Sequence, residues 1–167
     1  MEFNKTVSNP MLVGSIELMK AEDTPEHRGM FMEELAKASF LAPAAIDPAP
    51  QEDAEGKLAI APGSKVQFPM LSAGEGKSFF MAFTDEGEYG RWLEKAPEKL
   101  PKFALTLDDY AAMLLRRDPQ GNVSPALGVV INPFGANIIL PKEMLAGMMS
   151  AKLARMREKM EANSGKN

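Results

Sequence analysis

The sequence predicts an α+β fold, an antiparallel or mixed β-sheet of hairpins with helices packed against it. Two stretches near the N-terminus begin like helices and carry apolar residues at helical spacing. Alternating apolar residues in the middle of the chain and again near Gly128 are interrupted by turn residues, which is typical of β-hairpins. A long amphipathic stretch follows the second hairpin. Because the strands are joined by hairpins more clearly than by crossover helices, α+β is favoured.

The two N-terminal helices are predicted from their starts. Ser8-Asn9-Pro10 combines a capping side chain with a proline suited to the first helical turn, and Thr24-Pro25-Glu26 repeats the pattern. The apolar residues that follow at helical spacing are Leu12, Ile16 and Met19 in the first helix and Phe31, Leu35 and Ala38 in the second. We therefore expect two helices with a short connection.

Residues 42–56, APAAIDPAPQEDAEG, come between these helices and the predicted sheet. Prolines, alanines and acidic residues dominate, and the apolar residues show no period. We expect a flexible loop that serves as a connector.

Period-two patterning then predicts a hairpin. The segments KVQFPMLS and KSFFMAFT each place apolar side chains on one face, and Ala73-Gly74-Glu75-Gly76 supplies the turn between them. Pro69 cannot donate a backbone hydrogen bond, which indicates an edge strand or a bulge.

Two capped helices are predicted after this hairpin. Thr84-Asp85-Glu86 starts a short helix with acidic residues at its positive end. Its apolar side carries Tyr89, Trp92 and Leu93. A strand at Phe103–Leu105 leads to Thr106 and Asp109, whose spacing is that of a capping box at the start of the next helix.

The segment GVVINPFGANIILP, residues 128–141, predicts the second hairpin. Asn132-Pro133-Phe134-Gly135 has the residue preferences of a type I turn, and we expect Gly135 to adopt a positive φ and form a bulge. The turn rules do not explain Phe134. An aromatic side chain here either folds onto the protein body or stands out as a contact, and the larger gain from burial favours the first.

The last predicted helix spans residues 141–162 and is rich in methionine. Its apolar stripe consists of Leu145, Met149, Leu153, Met156 and Met160. A helix of this length runs for roughly 33 Å, so we expect its first half to pack on the sheet. The second half either packs on the core or binds a partner, and both remain open. Binding to a membrane surface is less favoured because the apolar face has no Trp or Phe.

Composition narrows the function classes. The net charge of −4 gives no extended positive field for a nucleic-acid partner, and the lack of cysteine excludes disulfides and thiolate metal sites. His27 is the single histidine, and no local motif for a metal, a cofactor or a nucleophile is present. No apolar run reaches the length of a membrane span. We expect one domain over residues 1–167, located in the cytoplasm.

Four segments resemble, in order, the N-terminal domain of SseB-family bacterial proteins. They are NPMLVGSIELMKA, HRGMFMEELAKASFLAPA, FPMLSAGEGKSFFMAFTDEGEYGRWLEK and GVVINPFGANIILPKEML, and the last is the most specific. The resemblance implies a helical start, a strand pair leading into the Trp92 segment, and the hairpin. It also implies a cytoplasmic bacterial protein without an assigned reaction, from a family named after enhanced serine sensitivity.

Two functional hypotheses follow. The first is a non-enzymatic protein-interaction or regulatory module, acting on a protein partner or a second copy through the C-terminal helix. Its candidate contact residues are Phe134, Met149, Met156 and Met160. The alternative is a weak enzyme or a domain that binds an amino-acid-like molecule between the hairpin and the Trp92 helix. Its candidate polar and aromatic contacts are Asp85, Glu86, Arg91, Trp92, Asn132 and Asn137, with Arg91 suited to a carboxylate.

Overall fold

A computed structural model describes residues 1–166 of the chain. The helices are α1 (Pro10–Ala21), α2 (Pro25–Lys37), α3 (Glu86–Leu93), α4 (Leu107–Leu115) and α5 (Lys142–Ser164). The strands are β1 (Glu2–Phe3), β2 (Ser39–Pro43), β3 (Ala45–Asp47), β4 (Gln51–Glu52), β5 (Leu58–Ala59), β6 (Lys65–Gln67), β7 (Met70–Ser72), β8 (Ser78–Ala82), β9 (Lys102–Thr106), β10 (Gly128–Ile131) and β11 (Ile138–Pro141).

Two hydrogen-bonded sheets meet at the centre of the fold. One has the strand order β1-β9-β2 and the other β11-β10-β8-β7. Leu41 and Phe83 join them by reciprocal backbone hydrogen bonds of 2.8 and 2.9 Å. Strands β8 and β10 are parallel, while their neighbours are antiparallel. The predicted α+β fold with a mixed sheet, two N-terminal helices and a long C-terminal helix is confirmed.

Side chains on the two faces of the sheet build two apolar clusters. Val129 and Ile131 point into the larger cluster, with Leu12, Leu35, Tyr110 and Leu145 from α1, α2, α4 and α5. Val130 points to the opposite face, where it packs with residues of β8 and α3. Alternate strand residues face opposite sides of a sheet. The joined sheets therefore have four helices on one face and α3 on the other.

The predicted hairpins form, with one correction. Strands β7 and β8 pair across the expected turn, and β10 pairs with β11 along its length. KVQFPMLS does not form one strand, however, because it divides at Phe68–Pro69 into β6 and β7. Pro69 lacks the amide hydrogen that a ladder needs, and β7 lies at the edge of its sheet.

Residues 42–56, for which we expect a flexible loop, contain short strands, and their flexibility stays a prediction. The segment contains the end of β2 and the strands β3 and β4. Strand β3 pairs with β6, and β4 pairs with β5. These short ribbons are largely exposed and are connected through backbone hydrogen bonds, so they leave no apolar period in the sequence.

The helix starts agree with their capping signals, except at Asn9. The Thr24 side chain accepts a hydrogen bond from the backbone N–H of His27 at 3.1 Å, and the Thr106–Asp109 capping box is complete. Helix α1 begins at Pro10 as expected, but Asn9 does not cap it with its side chain. Instead, Asn9 Nδ2 donates to the backbone oxygens of Ser39 and Thr84 at 2.7 and 2.8 Å, tying the start of α1 to the sheet.

Helix α5 divides into a packed half and an exposed half. Its span of Lys142–Ser164 agrees with the predicted 141–162, and Leu145 is buried against the sheet. From Ser150 onwards, all residues described are exposed. We call residues 150–164 the arm. It is about 22 Å long and is an exposed continuation of α5, which decides against core packing, one of the two alternatives left open by the sequence.

Candidate functional site

The amide of Asn132 connects the ends of β8 and β10. Its Oδ1 accepts a hydrogen bond from the backbone N–H of Thr84 at 3.0 Å, and its Nδ2 donates to the Thr84 hydroxyl at 2.8 Å. Both residues are buried. The Thr84 hydroxyl donates in turn to Asp85 Oδ2 at 2.8 Å. The structure thus brings Asn132 and Asp85, two predicted pocket residues, into one network.

Four of the pocket candidates have contacts at or near α3. Asp85 Oδ1 accepts a hydrogen bond from the backbone N–H of Glu88 at 2.9 Å and so caps α3. Glu86 forms an ion pair with Lys102, and Arg91 forms one with Glu88 at 3.2 Å. The Trp92 ring is buried beside Phe83 and Tyr89.

The turn of the second hairpin forms, but the residues with a positive φ are not the one that we expected. The Gly135 backbone N–H donates to the Asn132 oxygen at 2.9 Å, which closes the expected turn. The positive φ values belong to Asn132 (49°) and Asn137 (53°), so the prediction of a positive φ at Gly135 is wrong. Asparagine tolerates this region better than most residues.

Gly135 is required at the hairpin tip for a different reason. A Cβ at this position would lie 2.7 Å from Glu88 Oε2 and 3.1 Å from Arg91 Nη1. The tip therefore lies directly on α3, and the predicted pocket residues form the junction between the two. Hydrogen bonds and ion pairs within the junction account for most of these residue types. Among the residues that the structure describes, the buried oxygens Glu86 Oε1 and Glu88 Oε2 have no hydrogen-bond partner, and binding of an amino-acid-like molecule at the junction stays a prediction.

Phe134 folds onto the protein body, as we favoured from the sequence. The ring is half-buried and packs against the cluster that contains Trp92. Lys95 Nζ lies 4.6 Å from the ring centroid. Phe134 is thus a part of the junction, with only a fraction of its surface open to a partner.

Two buried tyrosines also stabilise this part of the fold. The Tyr110 hydroxyl donates to the Met81 backbone oxygen at 2.8 Å, and burial raises its pKa well above the usual value. The Tyr89 hydroxyl donates to the Leu100 backbone oxygen at 2.7 Å. Burial, with a smaller contribution from Glu86, raises the pKa of Tyr89. Both groups are neutral hydrogen-bond donors at physiological pH.

A groove of about 740 Å³ lies between α2, α4 and α5. Its lining is mainly apolar, with a few charged residues among them. The lining residues are Met32, Glu33, Ala36, Lys37, Leu107, Asp108, Ala111, Leu145, Gly147, Met148, Met149, Ala151, Lys152 and Arg155. Met149, a predicted contact residue, is half-buried in this groove and packs against the larger apolar cluster. No sequence pattern predicts the groove directly, because its walls come from helices that lie far apart in the chain.

The sequence model described as SseB protein N-terminal domain matches residues 12–147. The chain belongs to the SseB family. The matched part of this SseB protein runs from α1 into the first turns of α5 and includes the hairpin, α3 and two helices of the groove. No curated protein and no solved structure matches the chain.

The arm lies beyond the residues matched to the SseB domain. Its apolar stripe comprises Leu153, Met156 and Met160, whose surfaces are 51%, 51% and 70% exposed. At 100° per residue, Lys152 and Lys159 flank the stripe on one side and Arg157 on the other. Of the predicted contact residues, Met156 and Met160 are therefore the most exposed.

The arm also differs in charge from the rest of the SseB chain. Its cations are Lys152, Arg155, Arg157 and Lys159, and its acids are Glu158 and Glu161, so its net charge is +2. Since the whole chain carries −4, the remaining residues carry −6. The arm is therefore a basic amphipathic helix on an acidic body.

Among residues 1–166 of this SseB protein, no group of three or more His, Asp or Glu side chains is placed to hold a metal ion. Over the same part of the chain, no helix combines the length and the apolar character needed to cross a membrane.

Proposed function

We propose that this SseB-family chain is a non-enzymatic protein-interaction module of the bacterial cytoplasm, and that the arm is its contact surface. The observation that carries the proposal is the exposure of Leu153, Met156 and Met160 on one face of the arm. Three large apolar side chains in a row on a solvent-exposed helix have no role in the core of a single copy. Contiguous exposed apolar surface of this kind is typical of an interaction site.

The choice of residues supports an interface in two ways. Methionine side chains are flexible and polarisable, so Met156 and Met160 can adapt to a partner surface. The spacing of Leu153, Met156 and Met160 is i, i+3 and i+7, the pattern by which an amphipathic helix places anchors in an apolar groove. The cytoplasmic location is supported by the family resemblance.

A pair of charge-matched variants tests the proposal. Leu153→Glu/Met156→Glu puts two acids on the stripe, whereas Ala154→Glu/Ala162→Glu puts two acids on the opposite side of the same exposed helix. Light scattering of the purified chain and affinity capture from bacterial cells are the two readouts. We expect the stripe variant to lose self-association or a captured partner, and the control to keep both.

One outcome would contradict the proposal. If the stripe variant and the wild-type chain have the same mass and capture the same proteins, the arm is not a contact surface. Met149 is left unchanged in these variants, because it packs against the core and its replacement would also change stability.

A further inference from the structure

We infer that the arm binds a second copy of this chain, in the groove between α2, α4 and α5, and that two copies exchange arms reciprocally. The inference rests on the proposed function of the arm. It names the partner and adds a receiving surface, the groove beside the base of the arm.

The groove has the shape and surface that an amphipathic helix requires. It is about 740 Å³ in volume, and its walls present the exposed small residues Ala36, Gly147 and Ala151. A Cβ built on Gly147 would have no atom within 4 Å. Small side chains let the axis of a second helix come close, and Met32 and Met148 provide adaptable apolar contacts beside them.

The arm cannot enter the groove of its own chain. The α5 wall of the groove runs from Leu145 to Arg155 and so includes the base of the arm, which continues without a break to Ser164. Reaching the groove would require a reversal of the chain inside a continuous helix. A molecule thus carries an amphipathic helix and an apolar groove that can meet only between copies.

Charge distinguishes arm-in-groove binding from the pairing of two arms. If the stripes of two arms packed against each other about a two-fold axis, the flanking cations Lys152, Arg157 and Lys159 would be brought together, which is unfavourable. The groove lining itself is mixed in charge, since Glu33 pairs with Lys37 and Asp108 pairs with Lys152. The body as a whole carries −6 against the +2 of the arm, so long-range attraction favours contact of an arm with a body over contact between two arms.

Reciprocal exchange also gives a closed assembly. When the arm of each copy occupies the groove of the other, the two contacts are identical and related by a two-fold axis. Each copy then has its stripe covered and its groove filled. The expected particle is a dimer of twice the 18.2 kDa chain mass.

The test uses the full chain and three kinds of variant, measured by sedimentation equilibrium over a range of concentrations. The arm variant is Leu153→Glu/Met156→Glu, and the groove variant is Gly147→Trp, which fills open space on the wall. Gly29→Trp is the matched control, since this helical glycine is also exposed with no atom within 4 Å of its Cβ, but does not line the groove. Ala36→Trp on the opposite wall repeats the groove test if Gly147→Trp fails to fold.

We expect a wild-type dimer, an at least tenfold weaker dimer for the arm and groove variants, and an unchanged dimer for Gly29→Trp. Mixing the arm variant with the groove variant should restore a heterodimer, because one intact arm then meets one intact groove. A groove variant that dimerises normally, a mixture that stays monomeric, or a monomeric wild-type chain would overturn the inference.

The same experiment separates this inference from the proposed function. If the arm variant loses self-association but the groove variants keep it, the arm is a contact surface and its receptor is not the groove. If a monomeric wild-type chain captures a different protein through the stripe, the proposed function also stands without the exchange. If the arm variant behaves as the wild type in mass and in capture, both fail.

Discussion

Asn132 holds Thr84 through both polar atoms of its side-chain amide, at 3.0 Å to the backbone N–H and 2.8 Å to the hydroxyl. The two residues follow β10 and β8, the parallel pair at the centre of the sheet. The Asn132 backbone N–H also donates to the Ala82 oxygen at 2.9 Å. One asparagine therefore ends the parallel pair, starts the hairpin turn and ties it to the cap of α3.

We predict that Asn132→Ala lowers the free energy of unfolding by about 3 kcal/mol, because buried polar groups of Thr84 lose their partners. Asn132→Gly loses the same hydrogen bonds but accepts the positive φ of 49° at this position. It should therefore be about 1 kcal/mol less destabilising than alanine. Urea unfolding of the three proteins gives these differences. A loss below about 1 kcal/mol for Asn132→Ala would show that the amide bridge contributes little.

The second prediction concerns Gly128, the first residue of β10. A Cβ there would lie 2.1 Å from the Leu140 backbone oxygen, so alanine must force β10 and β11 apart. We expect Gly128→Ala to lower the free energy of unfolding by at least about 2 kcal/mol. Gly14→Ala in α1 is the control, since its Cβ meets no atom within 4 Å. The control should be neutral or stabilising by up to about 1 kcal/mol. Equal midpoints in urea for both variants would contradict the explanation.

Rules for helix caps and turns predicted the features whose interacting residues lie close together in the chain. Thr106 and Asp109 form their capping box because both partners lie within four residues. The turn at Asn132 closes for the same reason. Asn9 shows the limit of such rules, since it fits a helix cap but binds Ser39 and Thr84, 30 and 75 residues away.

The candidate site also has a part that local sequence predicts and a part that depends on tertiary packing. The exposed stripe of the arm was visible in the sequence as a period of apolar residues. The groove was not visible there, because it forms only where α2, α4 and α5 come together in the fold. Gly147 and Ala151 are ordinary helix residues in the sequence, and their importance as small wall residues depends on the position of another helix. Likewise, Gly135 looks like a turn glycine, and its closeness to Glu88 follows from tertiary packing.

The third prediction uses the buried tyrosines. Tyr110 and Tyr89 have raised pKa values in the folded chain, so folding favours their protonated forms. Unfolded tyrosine titrates near pH ~10. Their contribution to stability is therefore complete below that pH and is lost as the pH rises above it. The free energy of unfolding should fall with pH above about 10.

The variant Tyr110→Phe measures the contribution of Tyr110 alone to the free energy of unfolding. At pH 7 the variant should be about 1 kcal/mol less stable, because the Met81 backbone oxygen loses its donor. As the pH rises above about 10, the deficit should shrink by up to about 1.4 kcal/mol for each pH unit, since the variant has no proton to lose at this position. Urea unfolding at several pH values measures the difference. A deficit that is constant with pH would mean that Tyr110 ionises as freely in the folded chain as in the unfolded one.

The last prediction separates the two halves of α5. Leu145 is 1% exposed within the larger apolar cluster, whereas Leu153 is 51% exposed on the arm. Leu145→Ala leaves a cavity and should lower the free energy of unfolding by about 2–5 kcal/mol. Leu153→Ala makes the same chemical change at an exposed site and should alter it by less than about 0.5 kcal/mol. The measurement needs a protein concentration at which both chains are monomeric, because any association through the arm would add stability to the form that binds. A large loss for Leu153→Ala under those conditions would place the arm against the body of its own chain, and the stripe would then have an intramolecular role.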